Sequence, residues 1–263
     1  MRGHGPDLAS FVQRFSVMRL PRQIVLMSGF YFHMMWRAHN REFILRDHHE
    51  KLCYLRAVRD DYLNNCNPEE FSIHGYTMMS NHGHVNGSVG EDPSLYSNHM
   101  RRAHSRFGMS YNKRHDRLGK VAHDRPKIKA SEDGAYAIEV MLYDLFNPVR
   151  AGIIPTPTDV KWRLFSTARY LAFGEENEFT CMITLPDWYL RLGKTAAQRQ
   201  RKFRQMLDMY ALERGLKRDP KKARGHFVGG EPWVREMRRL VNDWVRARRN
   251  QKAGTGTDPP ADS

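Results

Sequence analysis

Two runs of strand-forming residues, 71–79 and 82–89, are separated only by Ser80 and Asn81. A link that short joins strands antiparallel, because a parallel return needs a crossover of a dozen or more residues. A third run, 24–37, is rich in Val, Phe, Tyr and Met and reads as a strand. A fourth, 125–130, is short, and Pro126 assigns it to a sheet edge. Segments of helical period lie between them. In 48–65, Leu52, Leu55, Val58 and Leu63 recur at near-helical spacing. Residues 94–113 predict a basic helix opening near Ser94. Residues 132–146 predict another, with Ser131 placed to cap it and Glu132 and Asp133 suited to its positive end. Pro148 stops it, since proline disfavours helical geometry in the residue before it. This order predicts an α+β fold, an antiparallel sheet with helices on one face.

Beyond this unit, 159–171 predicts a helix closed by Phe173-Gly174. Residues 195–214 place Phe203, Met206, Leu207 and Tyr210 on one side of an amphipathic helix. A basic loop follows over 217–224, then a helix over 232–249 with Trp233, Met237, Leu240, Val241 and Trp244 on one face. The expected organisation is an irregular lead-in over 1–17, a domain over 18–175, a basic helical extension over 176–249 and a disordered tail over 250–263. Met18 is an alternative start to Met1.

Charge narrows the partners. The 263 residues include 43 Lys and Arg against 29 Asp and Glu, a formal charge of +14. Such an excess favours polyanions. No apolar run is long enough to span a bilayer, and the first twenty residues lack the apolar core of a secretory signal. The basic helices alternate with ordinary core stripes, which disfavours a membrane-surface role. Cys53, Cys66 and Cys181 are far apart and odd in number, fitting reduced thiols better than a disulfide or zinc framework. The expectation is a cytoplasmic, nucleoid-associated protein that binds nucleic acid.

Four segments carry chemistry. On a strand, His82 and His84 point to the same face, and two neutral imidazoles can hold a divalent metal. An H-x-H triplet alone is unspecific in a chain with 13 histidines. Tyr143 and Asn147 are one turn apart on a helix whose opposite side carries Ile138, Met141, Leu142 and Leu145. A boundary tyrosine packed half into a core has the same pattern. Arg101, Arg102, Arg106, Lys113 and Arg114 interleave with Phe107 and Tyr111, a composition suited to phosphate contact and base stacking, or to a solvated face. Arg125 and Lys127 sit where cations could hold a phosphate near the tyrosine helix.

Taken in order, these segments resemble the HUH single-tyrosine transposases, in their REP-associated branch. The match runs over 18–174 and includes Phe32-His33, the stretch from Arg41 to Asp47, Met79-Ser80-Asn81-His82-Gly83-His84, Met100-Arg101-Arg102, Asp124-Arg125-Pro126-Lys127, the Asn147-to-Gly152 segment and 162–170. The resemblance implies a ferredoxin-like palm. It implies Mg²⁺ or Mn²⁺ on His82, His84 and Asn147, with Tyr143 as nucleophile. It also implies cleavage and rejoining of single-stranded DNA hairpins through a 5′-phosphotyrosine, by a monomer or homodimer. One position departs: the residue between the histidines is usually a bulky hydrophobe and is here Gly83, which predicts a looser strand. A hairpin-binding protein without catalysis, and a nuclease that uses water, are the alternatives. The former would bind without cleaving, and the latter would leave no covalent adduct. If about six phosphates are contacted, log affinity falls against log salt with a slope of about −4 on single strands. A titration showing no salt dependence removes the electrostatic account.

Overall fold

A computed structural model of the chain describes residues 25–26, 29–92, 94–132, 134–214 and 225–254. The lead-in over 1–17, the alternative start at Met18, the loop over 217–224 and the tail from 255 lie outside the described residues.

β1 (Tyr31–Arg37), α1 (His48–Asn65), β2 (Phe71–Met78), β3 (His82–Val89), α2 (Ser94–Arg114) and β4 (Lys127–Ser131) follow in β-α-β-β-α-β order. The strands lie β2-β3-β1-β4, each antiparallel to its neighbour. That is the ferredoxin-like split, and it is the α+β class the sequence predicts. A fifth strand, β5 (Phe227–Val228), pairs parallel with β4. β4 is therefore interior, not an edge. Pro126 stands one residue before it, where the missing N–H breaks no ladder bond.

Register assigns the faces. Phe32, Met34 and Trp36 of β1 share one face with Gly83, Val85 and Gly87 of β3. α1 and α2 lie on this face. Trp36 stacks on Tyr54 at 5.1 Å, and Phe107 meets Tyr54 edge-on at 5.3 Å. Each such ring pair adds roughly 0.5–1.5 kcal/mol beyond area burial. The other face carries His33, Met35 and Arg37 beside His82, His84 and Asn86. Across it runs α3 (Gly134–Leu145), followed by a single turn, α4 (Asn147–Arg150). Ser131 and Glu132 do not open α3 as expected. Ser131 pairs with both Tyr31 and Val228, and the Glu132 carboxylate accepts from Gly230 N at 2.6 Å.

Residues 159–171 do not form one helix. A short turn covers Val160–Trp162, and α5 (Ala168–Phe173) begins only later. The intervening backbone is spent on β2: Met78 N donates to Phe165 O at 2.8 Å and Thr167 N to Tyr76 O at 3.1 Å. Those groups cannot also serve helical bonds. Gly174 then closes α5 at φ 73°, as its sequence position predicts. α6 (Asp187–Leu190) and α7 (Ala196–Arg214) pack with α3 and α5 around Phe203, Trp188 and Leu171. α8 (Glu231–Gly254) runs past the expected end at 249 and sends Val241 and Val245 into the main core.

Gly83 does not loosen β3. Its strand neighbours are Trp36 on one side and Met78 on the other, and both are fully buried. A Cβ at Gly83 would lie 2.7 Å from the Met78 methyl, so that thioether occupies the space a larger residue would fill. Gly83→Val should therefore destabilise the fold by about 1–3 kcal/mol through overpacking. Adding Met78→Ala should return part of the loss. Urea midpoints of the two variants measure this. An unchanged midpoint for Gly83→Val contradicts the packing account.

Candidate functional site

α3 lays its sheet-facing side over β1 and β3, and Asp144 in its last turn points into that face. It is fully buried. Its carboxylate lies 3.2 Å from His33 Nε2 and 3.1 Å from His84 Nδ1, and it accepts from Asn86 Nδ2 at 3.0 Å. The two imidazoles approach each other to 2.8 Å with rings nearly parallel. Burial by itself would raise the Asp144 carboxyl, but the imidazoles of His33 and His84 and the Asn86 amide bring it down to about 2. Burial drives His33 the other way, to about 4, against the pull of Asp144. At neutral pH the cluster sets the Asp144 carboxylate against a neutral His33 imidazole.

His84 turns its other nitrogen outward. Its Nε2 receives the Asn147 amide at 3.1 Å. With Nδ1–H donated toward Asp144, Nε2 carries the lone pair, the arrangement by which a carboxylate orients a metal-binding imidazole. His82 is half-buried and donates Nδ1–H to Asn81 Oδ1 at 2.6 Å, which leaves its own Nε2 lone pair open. The two rings stand 5.0 Å apart. Burial, then His84 and Arg37, hold His82 down at about 3, so it too is neutral and able to donate to a metal.

Asn147 fits less simply. It reaches His84, but presents Nδ2, a donor, while its Oδ1 accepts from Arg150 at 2.6 Å. Turning the amide over would set its NH₂ against the guanidinium. Arg150 thus holds the oxygen of the expected third ligand away from the histidines. The same guanidinium lies over the Tyr143 ring, 4.0 Å from its centre, and bonds the Tyr143 carbonyl. Tyr143 itself is half-buried against the cluster formed by α3, α5 and α7.

The predicted DNA contacts divide. Arg102 forks onto the buried Asp61 carboxylate at 2.7 and 3.1 Å, and His99 bonds the same group at 2.7 Å. Arg114 forks likewise onto buried Glu50. Both are committed to carboxylates on α1. Arg101, Arg106 and Lys113 are exposed and carry no ion pair among the described residues. They stand on α2, on the side of the sheet away from Asp144. Arg125 and Lys127 are exposed at the start of β4. Lys127 lies in register with Met35 and His84, Lys129 with His33 and Asn86, and Arg37 with His82. Sequence reasoning missed His33, Arg37, Lys129 and Asp144. The alternation of β1 and β4 would have found the first three only once their register with β3 was known.

Comparison with known proteins adds little. No protein-family model matches the chain, and no curated protein matches it. Among solved structures, a REP-associated tyrosine transposase bound to a REP hairpin is similar in shape, at 18% identity and a TM-score of 0.48. The alignment covers 63% of this chain and 93% of that one.

If the expected hairpin contacts hold, Arg106→Ala with Lys113→Ala weakens binding and lowers the salt slope by about 1–2, one unit or slightly less for each phosphate no longer neutralised. Arg102→Ala should instead cost about 3–5 kcal/mol of stability, by leaving Asp61 buried without its guanidinium, and leave the slope unchanged. Anisotropy titrations at several salt concentrations, with urea melts of the free proteins, separate the two effects.

Proposed function

We propose that this chain is a transposase-type nuclease that cuts and rejoins single-stranded hairpin DNA, with Tyr143 as nucleophile. The observation that supports it best is the docking of the tyrosine helix on the histidine strand, with Asn147, one turn after Tyr143, in contact with His84 at 3.1 Å. Two segments 63 residues apart in sequence thereby meet on one sheet face. The unit carrying the activity is 18–175, with 176–249 as its basic extension. It acts in the cytoplasm, at the nucleoid, as a monomer or homodimer.

In this reading the substrate backbone lies along the row of Arg37, Lys127 and Lys129, with Arg125 beside it. These cations hold the phosphates through charge-assisted bonds. The Tyr143 oxygen attacks the scissile phosphorus in line. An O–P bond to tyrosine forms, the bond to the 3′-oxygen breaks, and the phenolic proton leaves to solvent. The products are a 5′-phosphotyrosine and a free 3′-hydroxyl. Attack by another 3′-hydroxyl reverses the step, so the bond energy is kept and no nucleotide triphosphate is consumed. Arg150 holds the Tyr143 ring by its face and fixes the Asn147 amide. Mg²⁺ or Mn²⁺ held from His84, with His82 and Asn147 at its flanks, would draw charge from a phosphate oxygen when bound.

Asn147's engagement with Arg150 favours a second reading, a hairpin-binding protein of the same fold without catalysis. End-labelled hairpin oligonucleotides incubated with Mg²⁺ or Mn²⁺ decide between them. A covalent 5′ adduct on a denaturing gel, absent with EDTA and absent in Tyr143→Phe, is the expected result. Cleavage that persists in Tyr143→Phe removes the tyrosine mechanism. Binding by the wild type without cleavage assigns the second reading.

A further inference from the structure

The stretch between β1 and α1, residues 38–47, crosses the end of the sheet where His82 opens β3. Its backbone is fixed there. Ala38 N donates to Asn81 O at 2.9 Å, Asn81 Nδ2 to Arg41 O at 3.3 Å, and Leu45 N to Ser80 O at 2.9 Å. Asn40 and Arg41 both take left-handed backbone, at φ 49° and 61°. Asparagine tolerates that region better than arginine, and such strain persists only where surrounding contacts hold it. Ile44 and Leu45 enter the core, while Phe43 beside them is left 65% exposed. Phe43 and Phe173 are the exposed phenylalanines among the described residues. The guanidiniums of Arg169 and Arg204 lie over Phe173, at 5.1 and 5.2 Å from its centre. Phe43 meets no ring and no cation among the described residues.

Charge says what such a ring is for. Arg37, Arg41 and Arg46 flank it in sequence, and Arg37 Nε is buried with no acceptor among the described residues. The two carboxylates of the stretch are already engaged. Glu42 accepts from Arg117 at 2.5 and 3.2 Å, and Asp47 lies beside the buried Lys51 ammonium. The row of Lys129, Lys127 and Arg37 runs along the sheet toward this loop, and Phe43 lies beyond its Arg37 end. A flat apolar face next to unanswered cations suits a single nucleic-acid strand: a base stacks on the ring while neighbouring phosphates meet the guanidiniums. We infer that Phe43 is a stacking platform for an unpaired base of the substrate strand, beside the phosphate held by Arg37. This deepens the transposase reading and rests on it for the single-stranded substrate. The loop is already fixed, so little freedom is lost when a base docks. Every base has a π face, so the contact tolerates any sequence. Bases within a duplex are stacked on each other and cannot use it.

The test is anisotropy titration of the full chain carrying Tyr143→Phe, in EDTA, so that cleavage does not enter the result. The probes are a labelled hairpin with unpaired thymidine tails, the same hairpin without tails, and tailed hairpins with one abasic site stepped along the tails. Adding Phe43→Ala should weaken binding of the tailed hairpin about ten-fold. Binding of the blunt hairpin, the salt slope and the urea midpoint should stay as in the parent. Phe43→Trp should keep the affinity for the tailed hairpin. At one tail position an abasic site should weaken the parent by a similar factor and leave the Phe43→Ala protein unaffected. The inference is overturned if the parent binds the tailed hairpin no better than the blunt one. It is also overturned if Phe43→Ala weakens both hairpins alike or neither, or if the abasic loss persists undiminished in Phe43→Ala. The tyrosine mechanism is read separately, from the covalent adduct of the wild-type chain, so a failure of either result leaves the other standing.

Discussion

Asp144 enters the sheet face fully buried, so its charge has to be met by whatever α3 lies against. The groups that meet it come from two different strands, His33 on β1 and His84 and Asn86 on β3. That requirement sets the rotation of α3 about its axis. With Asp144 directed down, the helical period places Tyr143 about 100° away at the rim and Asn147 back beside His84. Removing a partner from such a buried anion typically costs several kcal/mol, so α3 has little freedom to roll. The position of the tyrosine is thus inherited from a carboxylate next to it in sequence that points elsewhere.

Arg150 performs a related task one turn later. It is near enough to bond the Tyr143 carbonyl, stack on the Tyr143 ring and hold the Asn147 oxygen, and it also neighbours the Tyr210 phenol on α7. The basic C-terminal helices are therefore not a detached appendage at this point. α7 reaches the tyrosine through Arg150 and through Phe146, whose ring lies 5.0 Å from that of Tyr210.

Much of the fold is legible in the sequence because its signals are local. The helix over 48–65 and the strand over 82–89 have the bounds their periodicity gives. What escapes depends on distant segments. Asp144 sits within an apolar stripe, and nothing near it in sequence announces the imidazoles that meet it. Arg102 and Arg114 read as free cations because their carboxylates lie 41 and 64 residues away. The helix expected through 159–171 is broken by hydrogen bonds to β2 that no local pattern encodes. Gly83 reads as a defect because the side chains that fill its place, Met78 and Tyr54, come from β2 and α1. For the site, the spacing of His82 and His84 and the one-turn step from Tyr143 to Asn147 are readable. Which nitrogen of His84 faces which partner is not.

The sheet is finished from outside the β-α-β-β-α-β unit. β5 covers the outer edge of β4, and bridges from Ser166 and Ile183 reach the outer strand β2. Each of these covering segments is made after the strand it protects, β5 roughly a hundred residues after β4. During synthesis the four-stranded sheet can form while both of its flanks still offer unpaired amides and carbonyls to any strand nearby. The nascent chain thus passes through an interval in which its central sheet is complete and still adhesive, and that interval closes only when the segment around residue 228 has left the ribosome.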